Sequence, residues 1–265
     1  MFYQQYATLA RLKQHRNLRS DVDDDFLMWL LGAASTMIHD YTCRYFIPYY
    51  AEKSATLHQT YDRSRLRAPD DVVLLTSITD GAGEVVADWT VVDRAWVDHP
   101  RGWAFPNVHS QARLTGLWGF HDQPDQMWKA VEQLGAHVDA GDDVFNVLTA
   151  GAYTVGDVVR IGDELLLVEA VTAQTAPALD SVTVARAING SQADDYLAGT
   201  QVYSYQPVGA IEWACVEIAA WLYKNRDRVN EYVQFGARGG AKIDEISADV
   251  WHLLAGYRRG DCGGC

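Results

Sequence analysis

Apolar residues recur at helical spacing in two segments that lie far apart along the chain. The steps in each segment are three and four residues, so one stripe of each helix is apolar. Aspartates at 21–25 suit the N-terminus of the first helix, and Pro48 ends its pattern because proline has no N–H to donate. The first stripe consists of Leu27, Leu30, Leu31, Ala34, Ile38 and Tyr41, and the second of Ile211, Cys215, Ile218 and Leu222.

The two stripes predict how the fold is organised. Helices that are apolar on one side most simply bury those sides against each other. We therefore predict an α+β fold in which long N- and C-terminal helices pack together as a helical adaptor-like core. The chain between Pro48 and Pro207 would then form large inserted β regions.

Between these two prolines the pattern changes to one typical of strands. Residues 72–79 and 84–92 predict two strands around a turn, residues 108–118 predict a third, and residues 128–134 favour one or two helical turns. Four further segments separated by turn residues predict a small β-barrel or sandwich of about 60 residues. These segments are 156–161, 164–171, 181–186 and 199–203.

These elements divide the chain into five predicted parts. The helical core takes its N-terminal part from residues 1–60 and its C-terminal helix from residues 207–235. Between them lie a β-rich insertion at 61–144 and the small β-barrel-like module at 145–206. Residues 236–265 form a C-terminal tail.

The tail joins a flexible stretch to a short apolar segment with a basic end. Gly236, Gly239 and Gly240 form the flexible stretch, since glycine loses the most backbone freedom on ordering. The segment beyond is too short for a stable isolated helix, so we predict that it orders on binding a partner; the alternative is that it folds back on its own subunit. Its members are Val250, Trp251, Leu253, Leu254, Tyr257, Arg258 and Arg259.

Charge and composition exclude several classes of protein. The 265 residues carry a formal net charge of −13, and an acidic surface repels nucleic acid, whose phosphates must be neutralised on binding. Residues 1–20 hold four bases and no acid; we interpret them as an amphipathic helix with Tyr6, Leu9 and Leu12 inward, and contact with DNA or an acidic partner is the alternative. No apolar run approaches the roughly 20 residues of a membrane span, and no signal peptide is evident, so we expect a soluble protein made in a cytoplasm.

The sequence contains few candidate catalytic or metal-binding residues. The eight histidines lack metal-binding spacing, and aspartates at 23–25 diverge around a helix, which suits a cap better than a metal site. Cys262 and Cys265 form a CxxC without the further ligands of a zinc site or the following helix of a redox pair. Cys43 and Cys215 fall within predicted helices as free, buried thiols. We therefore predict no disulfide framework, no catalytic, cofactor-binding or metal site, and no enzymatic activity.

Four segments carry a resemblance to a known family. The first helix ends in Tyr-Thr-x-Arg-x-Phe and the last contains Leu-Tyr-x-x-Arg, with β segments between them. In this order the segments resemble the head–tail connector (adaptor, or head-completion) proteins of long-tailed bacteriophages. The segments are 33–46 (AASTMIHDYTCRYF), 114–120 (LTGLWGF), 156–164 (GDVVRIGDE) with 186–191 (RAINGS), and 219–226 (AAWLYKNR).

The resemblance implies a structural protein of the virion neck. It implies a ring of about twelve copies, a dodecamer, between the portal and the tail, with a tail-terminator or stopper protein as a further partner. Genomic DNA would pass through the lumen without specific binding, because an acidic wall does not hold a polyanion. The apolar tail segment would dock into the portal ring, and no cofactor or membrane partner is expected.

Four tryptophans leave an alternative function open. If Trp89, Trp96, Trp103 and Trp118 line one groove, the protein is a carbohydrate-binding or hydrolytic tail or baseplate component. The other interpretation is that these tryptophans fill the cores of small β units. A purely structural baseplate or tail-terminator module is a further alternative.

Overall fold

The computed structural model describes residues 2–56, 64–100, 102–103, 111–175, 178–226 and 246–260. Four α-helices and twelve strands lie within these ranges. The helices are α1 (Leu9–Arg16), α2 (Asp24–Thr42), α3 (Gly209–Lys224) and α4 (Ala248–Ala255). The strands are β1 (Tyr49–Thr56), β2 (Arg65–Arg67), β3 (Val72–Thr79), β4 (Thr90–Val92), β5 (Trp96–Asp98), β6 (Gln111–Trp118), β7 (Trp128–Gln133), β8 (Val144–Val147), β9 (Val158–Ile161), β10 (Glu164–Thr172), β11 (Asp180–Ala185) and β12 (Gln201–Tyr205).

The strands form three antiparallel sheets. One has the order β1-β6-β3, a second has the order β2-β5-β4, and the largest has the order β7-β12-β9-β10-β11-β8. The two three-stranded sheets share one apolar cluster, in which Leu66 of β2, Ile78 of β3 and Leu114 of β6 are fully buried. Buried and more exposed positions alternate along β6 from Gln111 to Thr115, as a strand requires. The buried residues of β3 are three apart, because register shifts interrupt its pairing with β6.

The six-stranded sheet curls around its own core. Its edge strands approach each other, since Gly135 N, just beyond β7, donates a hydrogen bond of 2.7 Å to Asn146 O of β8. Side chains from all around the sheet, including Phe145, Val159 and Val202, fill the interior. The unit is therefore barrel-like, with apolar residues inside.

The helices do not form a core of their own. The apolar stripes of α2 and α3 face each other, but the same buried cluster contains strand residues, among them Val158, Leu165 and Tyr205. Tyr205 of β12 also donates a hydrogen bond of 2.6 Å to Phe46 O, just beyond α2. The predicted α+β fold with a helical core and β insertions is therefore wrong: the protein is mostly β, and its helices form one layer against the sheets. The prediction failed because helical spacing shows which side of a helix is buried but not what else covers that side.

Several predicted elements also differ from the structure. The predicted strand at 84–92 is shortened to β4, which pairs with β5. The residues before β4 meet the end of β3 at an isolated bridge between Thr79 and Val85. The segment at 128–134 is strand β7 rather than helical turns, because its backbone pairs with β12. As β7 belongs to the six-stranded sheet, that sheet takes strands from both sides of the predicted boundary at residue 144.

The cysteine prediction needs a correction as well. Cys43 follows the last residue of α2 in the left-handed conformation, with φ 52°, and it is disulfide-bonded. Its partner lies outside the described residues. Cys215 is free and fully buried in α3, where burial raises the pKa of its thiol to about 12.

A tight contact between the barrel-like unit and β1 allows a test of this fold. Gly190 has φ +76°, and a Cβ at this position would lie far inside van der Waals contact with Tyr50 O. We expect Gly190→Ala to destabilise the protein by about 1–3 kcal/mol, because the substitution adds both backbone strain and overpacking. Urea denaturation measures the change.

The matched control is Gly32→Ala in α2. No atom outside the local helix backbone lies within 4 Å of an added Cβ there, and alanine is the better helix former, so stability should rise by up to about 1 kcal/mol. Equal effects of the two substitutions would contradict the close approach of Gly190 to Tyr50.

Candidate functional site

The outward side of α2 exposes apolar side chains. Trp29 is 51% exposed and Met28 is 36% exposed, although both lie in the middle of an ordered helix. Trp29 stacks on Phe26 with a centroid distance of 5.8 Å and an interplanar angle of 18°. We define the α2 outer face as the exposed residues Asp25, Met28, Trp29, Thr36 and Asp40.

The inward side holds α2 in place. The predicted core-packing residues Leu27, Leu30, Leu31, Ala34 and Ile38 are buried, as are Ile211, Cys215 and Ile218 of α3, while Tyr41 and Leu222 are half-buried. A polar contact crosses this packing, because Ser35 Oγ lies 3.4 Å from Cys215 Sγ. The orientation of the α2 outer face is therefore set by a buried contact on the opposite side of the helix.

Ion pairs and hydrogen bonds fix the N-terminal end of α2. Lys13 Nζ lies 2.5 Å from Asp21 and 2.8 Å from Asp24, and hydrogen bonds to these two carboxylates raise the pKa of Lys13. Tyr223 of α3 donates a hydrogen bond of 2.7 Å to Asp23, and this bond raises the pKa of the tyrosine hydroxyl. The aspartates at 21–24 thus bind neighbouring side chains, while Asp25 points outward.

A groove runs between α1 and α3 on the same helical layer. It has a volume of about 360 Å³. Arg11 Nε lies 3.2 Å from Glu212 Oε1, and His15 Nε2 lies 3.2 Å from Glu217 Oε1. Trp213 is 42% exposed and forms part of the groove wall. We call this the α1–α3 groove; its lining residues are Arg11, Gln14, His15, Gly209, Glu212, Trp213 and Val216.

A second cavity of about 410 Å³ adjoins the α1–α3 groove and shares Arg11, Gln14 and Glu212 with it. Asp157, before β9, lines this cavity. Burial raises the pKa of Asp157, and the nearby Glu212 carboxylate raises it further. Asp157 nevertheless stabilises the preceding turn, since it accepts a hydrogen bond of 2.8 Å from Thr154 N.

The predicted portal-docking segment folds back on its own subunit. Val250 and Leu254 are fully buried in the cluster that contains α2 and α3. Arg259 is also buried, and its guanidinium donates hydrogen bonds of 2.9 Å to Ala68 O and 2.8 Å to Pro69 O. Contacts within the chain therefore already occupy these three side chains, which agrees with the alternative that the segment folds back on its own subunit.

The other four members of that segment are less enclosed. Trp251, Leu253 and Tyr257 are half-buried, and Arg258 is exposed. Trp251 lies against Tyr41 of α2, with ring centroids 5.0 Å apart. These side chains retain surface that a partner could contact.

A buried charge network fixes the end of the segment, and the sequence analysis missed its partners. Arg44 Nη1 lies 2.6 Å from Asp71 Oδ1, and Arg44 Nε donates a hydrogen bond of 2.8 Å to Tyr257 O. Burial raises the pKa of Asp71, while the charge of Arg44 opposes that rise. Next to it, Tyr49 donates a hydrogen bond of 2.5 Å to Asp70. Arg44 belongs to the Tyr-Thr-x-Arg-x-Phe segment, so this motif was the sequence signal that could have pointed to the network.

A second network inside the barrel-like unit involves the Arg-Ala-Ile-Asn-Gly-Ser segment. Arg186 Nη2 lies 2.5 Å from Glu164 Oε2, and both side chains are buried. Asn189 donates hydrogen bonds of 2.9 Å to Tyr3 O and 3.1 Å to Pro48 O. The segment therefore anchors the barrel-like unit to the N-terminal segment and to β1, a role that the sequence analysis did not assign.

The tryptophans of the alternative function are not gathered in an open groove. Trp103 and Trp118 are buried in the cluster shared by the two three-stranded sheets. Their indole N–H groups donate to Ser64 O and Ala51 O, at 3.1 and 2.8 Å. Trp89 and Trp96 are half-buried. At least two of the four thus fill a core.

Within the described ranges, no group of three or more His, Cys, Asp or Glu residues is placed to hold a metal ion. No helix in the same ranges combines the length and apolar character of a membrane span.

No protein-family model matches the chain, and no curated protein matches it.

Proposed function

We propose that this protein is a structural subunit that assembles with copies of itself into a ring, and that the ring is the head-to-tail adaptor of a long-tailed bacteriophage. The observation that carries the proposal is the α2 outer face, where Met28 and Trp29 are both exposed on one ordered helix. Tryptophan and methionine are enriched at protein interfaces, and contiguous exposed apolar side chains mark interaction sites. The same helix carries part of the sequence resemblance to connector proteins.

The charge of the chain is consistent with a DNA channel. A formal net charge of −13 on each copy gives an assembled ring a strongly acidic character. Tight DNA binding requires bases that neutralise phosphates, so such a wall lets DNA pass without holding it. In this proposal the genome is in transit and is not a specifically bound ligand.

The remaining partners are the portal on one side and a tail-terminator or stopper protein on the other. The surface left exposed by Trp251, Leu253, Tyr257 and Arg258 is the portal-facing candidate within the C-terminal segment. An arginine next to aromatic side chains suits an interface, because guanidinium groups bind carboxylates and stack on rings. The virion neck is the location that this arrangement implies.

Substitution of Trp29 tests ring assembly. We expect the wild-type protein to form rings, seen as a multiple of the 29.5 kDa chain mass and as closed rings in electron-microscope class averages. Trp29→Ser should weaken each interface by about 2 kcal/mol or more, which is about 30-fold or more in affinity. Sedimentation velocity over a range of concentrations measures the shift.

The control is Leu74→Ser on β3, because Leu74 is exposed to the same extent, 51%. It should leave assembly unchanged, and both variants should melt close to the wild type, since surface substitutions usually change stability by less than about 0.5 kcal/mol. A wild-type protein that stays monomeric at every concentration would contradict the proposed function.

A further inference from the structure

Two surfaces of the helical layer have matching chemistry. On the α2 outer face an acid, Asp25, lies one helical turn from Trp29, at a rise of about 6 Å along the axis. In the α1–α3 groove a base, Arg11, lies against Glu212, the neighbour of Trp213 in α3. Each surface thus places charged side chains close to one exposed indole: Asp25 near Trp29, and the Arg11–Glu212 ion pair near Trp213.

The arginine of the groove has unused hydrogen-bonding capacity. Only Nε of Arg11 contacts Glu212, and the side chain is 59% exposed. Among the described residues, neither of its terminal nitrogens has a hydrogen-bond partner. A guanidinium presents its donors as a planar fork that fits a carboxylate, so these two nitrogens can receive one.

We propose that in the assembled ring the α2 outer face of one copy occupies the α1–α3 groove of the next copy, with Trp29 against Trp213 and Val216 and with Asp25 on Arg11. This inference rests on the proposed function and names the interface that builds the ring. Trp29 is half exposed on its helix, and the groove leaves about 360 Å³ open beside Trp213 and Val216.

The alternative of one α2 outer face against another is disfavoured by charge. Asp25 and Asp40 are exposed on that face, and pairing two copies of it brings like charges together. A contact between two different surfaces is also what a ring needs, because such heterologous contacts close around an axis, whereas a two-fold contact stops at a dimer.

Mixing two complementary variants tests this pairing. Trp29→Ser damages only the α2 outer face and Trp213→Ser damages only the groove, so each variant alone should remain monomeric. An equimolar mixture retains one intact pair of surfaces and should form dimers of twice the chain mass that cannot grow into rings. Native mass spectrometry of isotopically labelled variants identifies these mixed dimers.

The outcomes separate the interface from the proposed function. If the wild-type protein forms rings and Trp213→Ser assembles normally, the proposed interface is wrong, although ring formation itself is supported. The proposed interface is also wrong if the wild-type protein forms rings, neither variant assembles alone, and the mixture forms no mixed dimer. A monomeric wild-type protein would overturn the proposed function itself.

A charge substitution keeps the test decisive if either tryptophan variant folds poorly. Asp25→Arg should prevent assembly, because it places a guanidinium against Arg11 of the neighbouring copy. Asp125→Arg makes the same charge change at another exposed aspartate, outside both surfaces, and should assemble like the wild type. Equal assembly of the two charge variants would overturn the proposed contact.

Discussion

Leu30→Asp is expected to unfold the whole protein, sheets included. Leu30 is fully buried in the cluster shared by helices and strands, and Ile218→Asp on α3 should act in the same way. An unpaired buried charge costs several kcal/mol, a large part of the roughly 5–15 kcal/mol that stabilises a typical domain. Because Val158 and Tyr205 belong to the same cluster, the strands that carry them should lose their packing too.

Circular dichroism and tryptophan fluorescence, followed together during urea titration, measure this effect. The matched control is Thr36→Asp on the exposed side of α2, which should change stability by no more than about 0.5 kcal/mol. If Leu30→Asp removes the helical signal and leaves a folded β signal, then the helical layer is an independent unit, contrary to the shared cluster.

Arg186→Met is expected to destabilise the protein by about 3–5 kcal/mol, because it leaves the Glu164 carboxylate buried without its partner. The wild-type pair is bidentate, with Arg186 Nε 2.9 Å and Nη2 2.5 Å from the two carboxylate oxygens. Arg186 also donates to Asp139 O and Asp194 O, at 2.5 and 2.7 Å, so two loops should loosen when it is lost. Hydrogen exchange at these loops and urea denaturation report the two effects.

The control for this substitution removes both charges. In the double variant Arg186→Met with Glu164→Gln no buried charge is left alone, so much of the lost stability should return. A double variant that is no more stable than Arg186→Met would show that the loop contacts, and not the unpaired carboxylate, dominate the effect.

The local pattern of the sequence was sufficient for many individual elements. Residues 72–79 are rich in valine, isoleucine and threonine, which favour strands, and they form β3 with the predicted bounds. The helical stripes at α2 and α3 were also visible, because a period near 3.6 residues marks one side of a helix. Such predictions succeed because the periodicity of side-chain direction is a property of the local backbone.

The pairing of strands could not be predicted from the local sequence pattern. Two adjacent segments with strand character suggested a hairpin of β3 with the strand at 84–92, but β4 pairs with β5 instead. Likewise β7 has a sequence that fits helical turns, and its hydrogen bonds to β12 made it a strand. Partner choice depends on which distant strand offers free backbone groups and a matching apolar face.

In the candidate site, too, some features follow from the sequence pattern and others depend on the tertiary structure. The sequence by itself determined that α2 has one apolar stripe and that the chain is acidic, since both follow from residue types and spacing. Only the tertiary structure decided that Trp29 lies outside that buried stripe and that Arg259 is held by backbone carbonyls. It alone also shows that the terminal nitrogens of Arg11 have no hydrogen-bond partner among the described residues. Exposure and pairing depend on neighbours brought together from distant parts of the chain, and a linear pattern holds no information on those distances.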